Sequence, residues 1–443
     1  MYPSLLFYKL YLSIMIMRRI IILIAVAACF CKVAFSQNSL QNYIEFAEQN
    51  SPLLQKQENN KKIIDLDLKQ FNAIYKSPKL SLNSNVLFAP IISKDGTTNK
   101  FQLTSPGSTN YMGYDLGASN GGQFQAMISV NQPLFTHKYI AAQQNNAAIL
   151  QERNLNFTQL TKAELKQVVT HQYILCVQSQ KQIENIRNTI QVLAEQIQQM
   201  KVLVNAGIYK LIDLKLLEIE LENNQIEEEQ LNGSYLDNFN SLKLLCGIHD
   251  STLVQLDEVN LVLNYPIQTP SLFASQFKLD SLTLKAEQNL FNLQYLPQVG
   301  IFGDAGQNAT YQPALNRMGF SVGIFLTWNL FDGHQRKTND EKTIIQLSNI
   351  ETDRKYFETQ NDIRKKNILS QISNLDKQLL LIDKQLSEYN NLLELYKIEI
   401  NKSLISGLEL KTLIKEISMK QQVKTNTLMA KEILINSYNY WNL

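Results

Sequence analysis

The sequence predicts a mainly α-helical protein that carries a small β portion and repeats one unit twice. Three observations lead there. From Met318 the residues alternate strictly, with Phe320, Val322, Ile324, Leu326 and Trp328 on one face and Ser321, Gly323 and Thr327 on the other. Gln123 to Val130 alternates in the same way. Both runs end in similar motifs, Asn131-Gln132-Pro133-Leu134-Phe135 and Asn329-Leu330-Phe331-Asp332-Gly333, with Phe135 and Phe331 196 residues apart. A very long helical pattern follows each motif. Only 16 Gly and 10 Pro in 443 residues suit long unbroken helices.

Residues 1–36 read as a signal peptide. Met17-Arg18-Arg19 is a positive start, Ile20 to Phe30 an apolar run, and Ala34-Phe35-Ser36 a small-x-small cleavage site. Met17 would begin a more typical signal by itself, and Val26-Ala27-Ala28-Cys29 offers a rival site at which Cys29 would be lipidated. Of the 42 Lys and Arg, four lie in this leader against none of the 40 acids, so the mature chain would be close to neutral at −2. That balance argues against nucleic acid as a partner. Cys176 and Cys246 remain after cleavage, and the sequence leaves open whether they are buried thiols or a bridged pair. No later stretch has 18 consecutive apolar residues.

The first repeat spans residues 37–250. Leu40 to Ala73 is helical, punctuated at Asn50-Ser51-Pro52. Strands are expected at about 79–88 and 123–131, joined by a polar loop over 90–122. A long helix then runs from about 137 to 204. Its end carries a heptad seam of Ile183, Ile186, Ile190, Leu193, Ile197, Met200 and Val204. About 67 helical residues span roughly 100 Å. Asn205-Ala206-Gly207 stops the helix, glycine being the usual left-handed terminus, and a return helix covers 209–245.

The second repeat, residues 251–443, begins with a linker holding Pro266 and Pro270. Ser271 to Leu296 is helical. Strands follow at about 297–306 and 318–328, then a long helix at about 334–404 with a seam of Leu375, Leu379, Ile382, Leu386, Tyr389, Leu393, Tyr396 and Ile400. Ser406-Gly407 breaks it, 200 residues after Gly207, and a return helix covers 408–440.

Four amphipathic strands on an exported chain need a closed sheet, because lipid forbids open edges. Closure takes at least about eight strands. Pooling hairpins from three chains supplies twelve. Strands of about 9–11 residues suit a tilted outer-membrane span, and Ser81, Asn83, Asn85, Gln125, Ser129 and Ser321 suit a wet interior. The expected architecture is a trimer whose 12-stranded barrel continues as an α-helical tunnel on one side of the membrane.

The chain resembles the TolC family of outer-membrane efflux proteins over its mature length. The motifs are Ala47 to Leu53 (AEQNSPL), Pro78 to Leu82 (PKLSL), Val130 to Phe135 (VNQPLF) and Thr327 to Gly333 (TWNLFDG), completed by the glycine-marked tips NAGIYKLIDL and ISGLELKTLI. The resemblance implies a homotrimer in outer-membrane lipid, with the α-helical tunnel on the periplasmic side. It would be the exit duct of a tripartite efflux or type I secretion system, served by an inner-membrane pump or ATP-driven exporter. A periplasmic adaptor (membrane fusion) protein would dock at the tips, Ala206, Gly207, Ile208, Ser406, Gly407 and Leu408. It also implies that Asp213, six residues past the first glycine, helps to hold the periplasmic entrance closed. The corresponding places in the second copy hold Leu413 and Glu416, of which one is acidic.

Simpler readings stand beside these. Gly207 and Gly407 also read as ordinary helix-ending glycines, and Asp213 suits the positive start of its own helix. Trp328 and Phe331 suit a membrane-interface belt, with core packing as the alternative. His137 and His334 sit at equivalent junctions, but neither neighbourhood adds Cys or His at metal-ligand spacing. Asp304 falls on the polar face of its strand. No catalytic motif appears, so neither an enzyme nor a cofactor is expected. The rival class is a periplasmic adaptor or structural coiled-coil protein without a pore.

Overall fold

The computed structural model describes residues 38–88, 90–102, 109–113, 122–250, 252–264, 271–310, 318–402 and 404–443. The leader, with its cleavage site and Cys29, lies outside them. So do Pro266, Pro270 and parts of the loop expected over 90–122. The described chain forms α1 (Leu40–Asn50), α2 (Pro52–Lys76), β1 (Lys79–Phe88), β2 (Ile91–Ser93), β3 (Lys100–Gln102), β4 (Tyr111–Met112) and β5 (Gly122–Leu134). There follow α3 (His137–Asn205), α4 (Leu211–Cys246), α5 (Leu272–Leu293), β6 (Gln298–Thr310), β7 (Met318–Thr327), α6 (Gln335–Glu399) and α7 (Gly407–Trp441). The protein is mostly helical with a small sheet.

Two compact units form, and neither is a sequence half. Among the described residues, one holds those up to Leu54, those within 161–269 and Asn361–Leu443; the other holds those within 55–160 and 270–360.

The first unit is helical and built around the seams. Tyr43, Ile44 and Ala47 of α1 pack with Val169, Tyr173 and Cys176 of α3, Phe239, Leu242 and Cys246 of α4, and Met429 of α7. Tyr173 is fully buried, and its hydroxyl lies 2.5 Å from the Asn38 carbonyl and 3.0 Å from that of Asp257, which satisfies it. Cys176 and Cys246 are both free and buried in this core. Burial pushes each thiol up to about 12, because the thiolate finds no solvent there. Gly247 ends α4 in the left-handed conformation (φ 66°), and the carbonyl of Cys246 accepts from Asn50 Nδ2 at 2.8 Å.

The second unit holds the sheets. The main one has the order β1-β5-β6-β7, antiparallel throughout, with β1 and β7 as its edges. The Phe71–Tyr75–Tyr139 stack, with centroids 4.5 and 5.4 Å apart, joins α2 to the start of α3. Arg153 of α3 pairs with Asp280 of α5 at 2.7 Å.

Within the stretch expected as a plain polar loop, the chain builds a second small sheet of order β3-β2-β4. Asp95 cinches it: its carboxylate accepts the backbone N–H groups of Thr109 and Asn110 at 2.5 and 2.6 Å. Strands of two or three residues are too short for alternation to reveal them.

Candidate functional site

The main sheet has two sharply different faces. Register places Leu80, Leu82 and Val86 with Phe124, Ile128 and Val130, then with Ile301 and Ala305, then with Phe320, Val322, Ile324 and Leu326. No charged residue falls on this face among the described residues. Its side chains are bare in the single chain: Phe320 is 87% exposed, Val322 79% and Val86 78%. An apolar face of that extent, continuous over four strands, marks an interaction surface.

The opposite face is mostly polar or small, with Leu87 and Met127 among its exceptions. One cross-strand row reads Ser81, Ser129, Asp304, Ser321. Asn83 Nδ2 donates to Ser129 Oγ at 3.1 Å. Phe302 and Phe325 also lie on this face, each directly opposite a glycine, Gly323 and Gly300. A methyl group on Gly323 would lie 2.6 Å from the Phe302 ring, so the ring occupies the space a side chain would need. Phe325 covers Gly300 in the same way.

At the strand-to-helix junctions the backbone turns through left-handed conformations. Phe135 (φ 56°) and His334 (φ 66°) adopt them without being glycine, which costs about 1–3 kcal/mol each. Asp332 offsets part of this by accepting the Arg336 backbone N–H at 2.7 Å. Its carboxyl is held below the usual range, first by the Tyr295 hydroxyl and then by that N–H. Trp328 donates to the Tyr295 carbonyl at 3.1 Å and is 55% exposed, while Phe331 is 79% exposed. Neither is buried in a core of this chain. His334 meets the Phe331 ring edge-on at 5.7 Å. Among the described residues no group of three His, Cys, Asp or Glu is placed to hold a metal.

The helix turns form a second site. Leu193, Ile197 and Met200 of α3 pack with Leu214 and Leu217 of α4, Leu393 of α6, and Leu410, Leu413, Ile414 and Ile417 of α7. The first turn is as expected: Gly207 has φ 74°, its N–H reaches the Val204 carbonyl at 2.9 Å, and Ile208 N–H reaches Leu203 at 2.9 Å. Those paired bonds satisfy the last carbonyls of the helix.

The second turn corrects the expectation for Gly407. It does not end the descending helix, which stops at Glu399 and passes into a 3-10 turn over Ile400–Lys402. Gly407 is the first residue of α7. Ser406 caps that helix: its hydroxyl accepts the Glu409 N–H at 3.2 Å, and the Glu409 carboxylate accepts the Ser406 N–H at 2.7 Å. Nor is Gly407 exposed as a docking tip should be, because Asp213 covers it. Gly407 N–H donates to Asp213 Oδ1 at 3.1 Å, and a methyl group on Gly407 would lie 2.7 Å from the Asp213 Cβ.

Leu413 is corrected too. It is 6% exposed and packs in the turn core, so it lines no opening of this chain. Glu416 is half-buried one helical turn away. Ala206, Gly207, Ile208, Ser406 and Leu408 are exposed. Two residues missed in the sequence complete this site. The Tyr209 hydroxyl lies within hydrogen-bonding distance of the Ile400 (2.9 Å) and Ile405 (2.7 Å) carbonyls, and Glu409 closes the capping box. The pattern Ser-x-x-Glu was there to be read; nothing local signalled Tyr209.

Among the described residues no helix is long and apolar enough to cross a membrane, which leaves a β-barrel span open. No family model and no curated protein matches the sequence. Solved structures do match. The outer membrane protein VceC of Vibrio cholerae aligns with TM-score 0.67 and 12% identity over 91% of this chain and 95% of its own. The MtrE outer membrane channel of Neisseria gonorrhoeae, in its open state, aligns with TM-score 0.64 and 13% identity over 91% and 88%. The CmeC outer membrane channel of Campylobacter jejuni gives 0.63 and 11% over 91% and 85%.

Proposed function

We propose that this chain, which has the fold of the TolC-type outer-membrane channels, is the exit duct of a tripartite efflux or type I secretion system. The observation that carries the reading is the sheet. It presents a wholly uncharged face, exposed in the single chain, and two edge strands, β1 and β7, that pair on one side only. Lipid accepts the face but not the edges. Four strands are also too few to close, since closed barrels start at about eight. Pairing β1 of one copy with β7 of the next, three times over, gives a sealed ring of twelve strands with the Ser81–Asp304–Ser321 face inward.

The likeness to outer-membrane channels supports placing that ring in the outer membrane, with the helices in the periplasm. Trp328 and Phe331 then meet the lipid headgroup level, where half-apolar rings are favoured. The exposed turn residues Ala206, Gly207, Ile208, Ser406 and Leu408 would receive a periplasmic adaptor. Asp213 and Glu416 would lie at the periplasmic entrance, with Asp213 acting through its bond to Gly407. The duct itself is passive; an inner-membrane pump or ATP-driven exporter would supply the energy.

The rival reading, an adaptor or coiled-coil protein without a pore, leaves the uncharged sheet face without a use. Light scattering on detergent-extracted protein separates the two. The duct reading requires a stable trimer of the mature chain, recovered with the outer-membrane fraction. A water-soluble monomer would remove it.

A further inference from the structure

The inward face of the sheet carries one acidic and one basic residue among its described positions, Asp304 and Lys79. They do not pair. Lys79 lies in the row Lys79–Asn131–Phe302–Gly323, one row nearer the helices and two strands away from Asp304. Strand spacing of about 4.8 Å and a two-residue step of about 7 Å put them roughly 12 Å apart. Asp304 is half-exposed, and its side-chain contact is the Ser321 hydroxyl at 3.5 Å. Its carboxylate therefore faces the interior with its charge largely unopposed.

Two aromatic rings lie on the same face, Phe302 about 7 Å and Phe325 about 14 Å from Asp304 along the strand direction. Phe302 is two residues from Asp304 on the same strand and face, and Phe325 lies opposite Gly300, one row further toward the helices. Both rings are half-buried over backbone where glycine has removed the competing side chain. Each keeps part of its surface open on a wall that is otherwise mostly polar or small, Leu87 and Met127 being the larger apolar exceptions. Aromatic surface beside a carboxylate is the chemistry that recognises a cation carrying apolar groups. The ring takes the apolar part and attracts the positive charge, and the carboxylate supplies the counter-charge.

We propose that Asp304, Phe302 and Phe325 form an interior station for organic cations bearing aromatic rings, in three copies around the bore. The inference rests on the trimeric duct reading and extends it to a class of cargo. Cations leaving the helical part would meet Phe325, then Phe302, then Asp304. The station also makes the strand portion prefer cations over anions, separately from the acids at the helix turns.

Planar-bilayer recording tests both parts, using tetraphenylphosphonium as the probe. In a KCl gradient the native protein should show a reversal potential of the sign that means potassium preference, and tetraphenylphosphonium should block the current. Asp304→Asn should move the reversal potential toward zero and weaken block roughly tenfold, the change expected when one strong contact is lost. A Phe302→Leu, Phe325→Leu double variant should weaken block while leaving the reversal potential in place. Both effects are read on channels that still conduct, so folding is controlled within the experiment. Asp304→Asn channels with native selectivity and native block would overturn the station while leaving the duct intact. Absence of any channel from folded trimer would overturn both.

Discussion

Gly407 donates its backbone N–H to Asp213 Oδ1 at 3.1 Å, joining two turns 194 residues apart in the chain. The bond places a carboxylate at the start of α7, where exposed N–H groups favour negative charge. It also explains why a glycine stands at 407, although that residue ends no helix: a side chain there would strike Asp213. Overpacking of this kind typically costs about 1–3 kcal/mol. Gly407→Ala should therefore loosen both turns, seen as faster backbone hydrogen exchange over 206–212 and 404–410. Tyr209→Phe, which removes the hydroxyl from the Ile400 and Ile405 carbonyls, should loosen the second turn by about 0.5–1.5 kcal/mol. Native exchange in Gly407→Ala would mean that the contact does not hold the turns.

The capping box makes the second turn acid-sensitive. The Ser406 N–H and hydroxyl hold the Glu409 carboxyl below its ordinary range. A depressed pKa contributes stability that is present above the unfolded value and lost as pH falls through the folded one. Protection of the first turn of α7 should accordingly drop on acidification below about pH 4, near the ordinary carboxylate range. Ser406→Ala should cost about 1 kcal/mol at neutral pH, and Glu409→Gln should flatten the acid response. An acid response that persists in Glu409→Gln assigns it to another carboxylate.

Two neighbouring positions on β7 separate the faces. Val322 and Ser321 are adjacent, 79% exposed and on the polar side respectively. Arginine on the lipid side of a barrel costs about 2–4 kcal/mol at mid-membrane. Val322→Arg should sharply lower the amount of trimer in the outer membrane, while Ser321→Arg should assemble normally. Equal tolerance at both positions, quantified by membrane fractionation, would contradict the assignment of faces.

Burial of Cys176 and Cys246 makes a chemical prediction. With both thiols pushed to about 12, the thiolate fraction at pH 8 is on the order of one in ten thousand. Neither should react with iodoacetamide in the folded protein, and both should react after denaturation, as mass spectrometry would show. These raised values also withdraw stability as pH climbs above the unfolded thiol range of about 8.5. Thermal stability should fall between pH 9 and 11 more steeply than in a Cys176→Ala, Cys246→Ala variant. Identical alkaline profiles would place the loss elsewhere.

The parts legible in the sequence share one physical property: their signal is periodic or local. Alternation from Met318 to Trp328 follows from a sheet with one apolar face, and the seams from Ile183 and Leu375 follow from helix packing. Gly207 was legible because a left-handed terminus needs a residue without a side chain. The misses are contacts that close over distance. Asp213 and Gly407, and Tyr209 with the 400–405 turn, come together only after the helices pack. Asp95 gathers Thr109 and Asn110 into a sheet whose strands are too short to show a period. Leu413 was placed by its distance from Gly407, yet the apolar spacing with Leu410, Ile414 and Ile417 points it into the core.

A water-filled pore through the trimer should be visible in single-channel recording in a planar bilayer. Purified trimer should give discrete conductance steps, small in the native protein and larger in an Asp213→Ala, Glu416→Ala variant. Trimer that retains its helical circular dichroism yet passes no current, native or variant, would mean that the protein forms no pore.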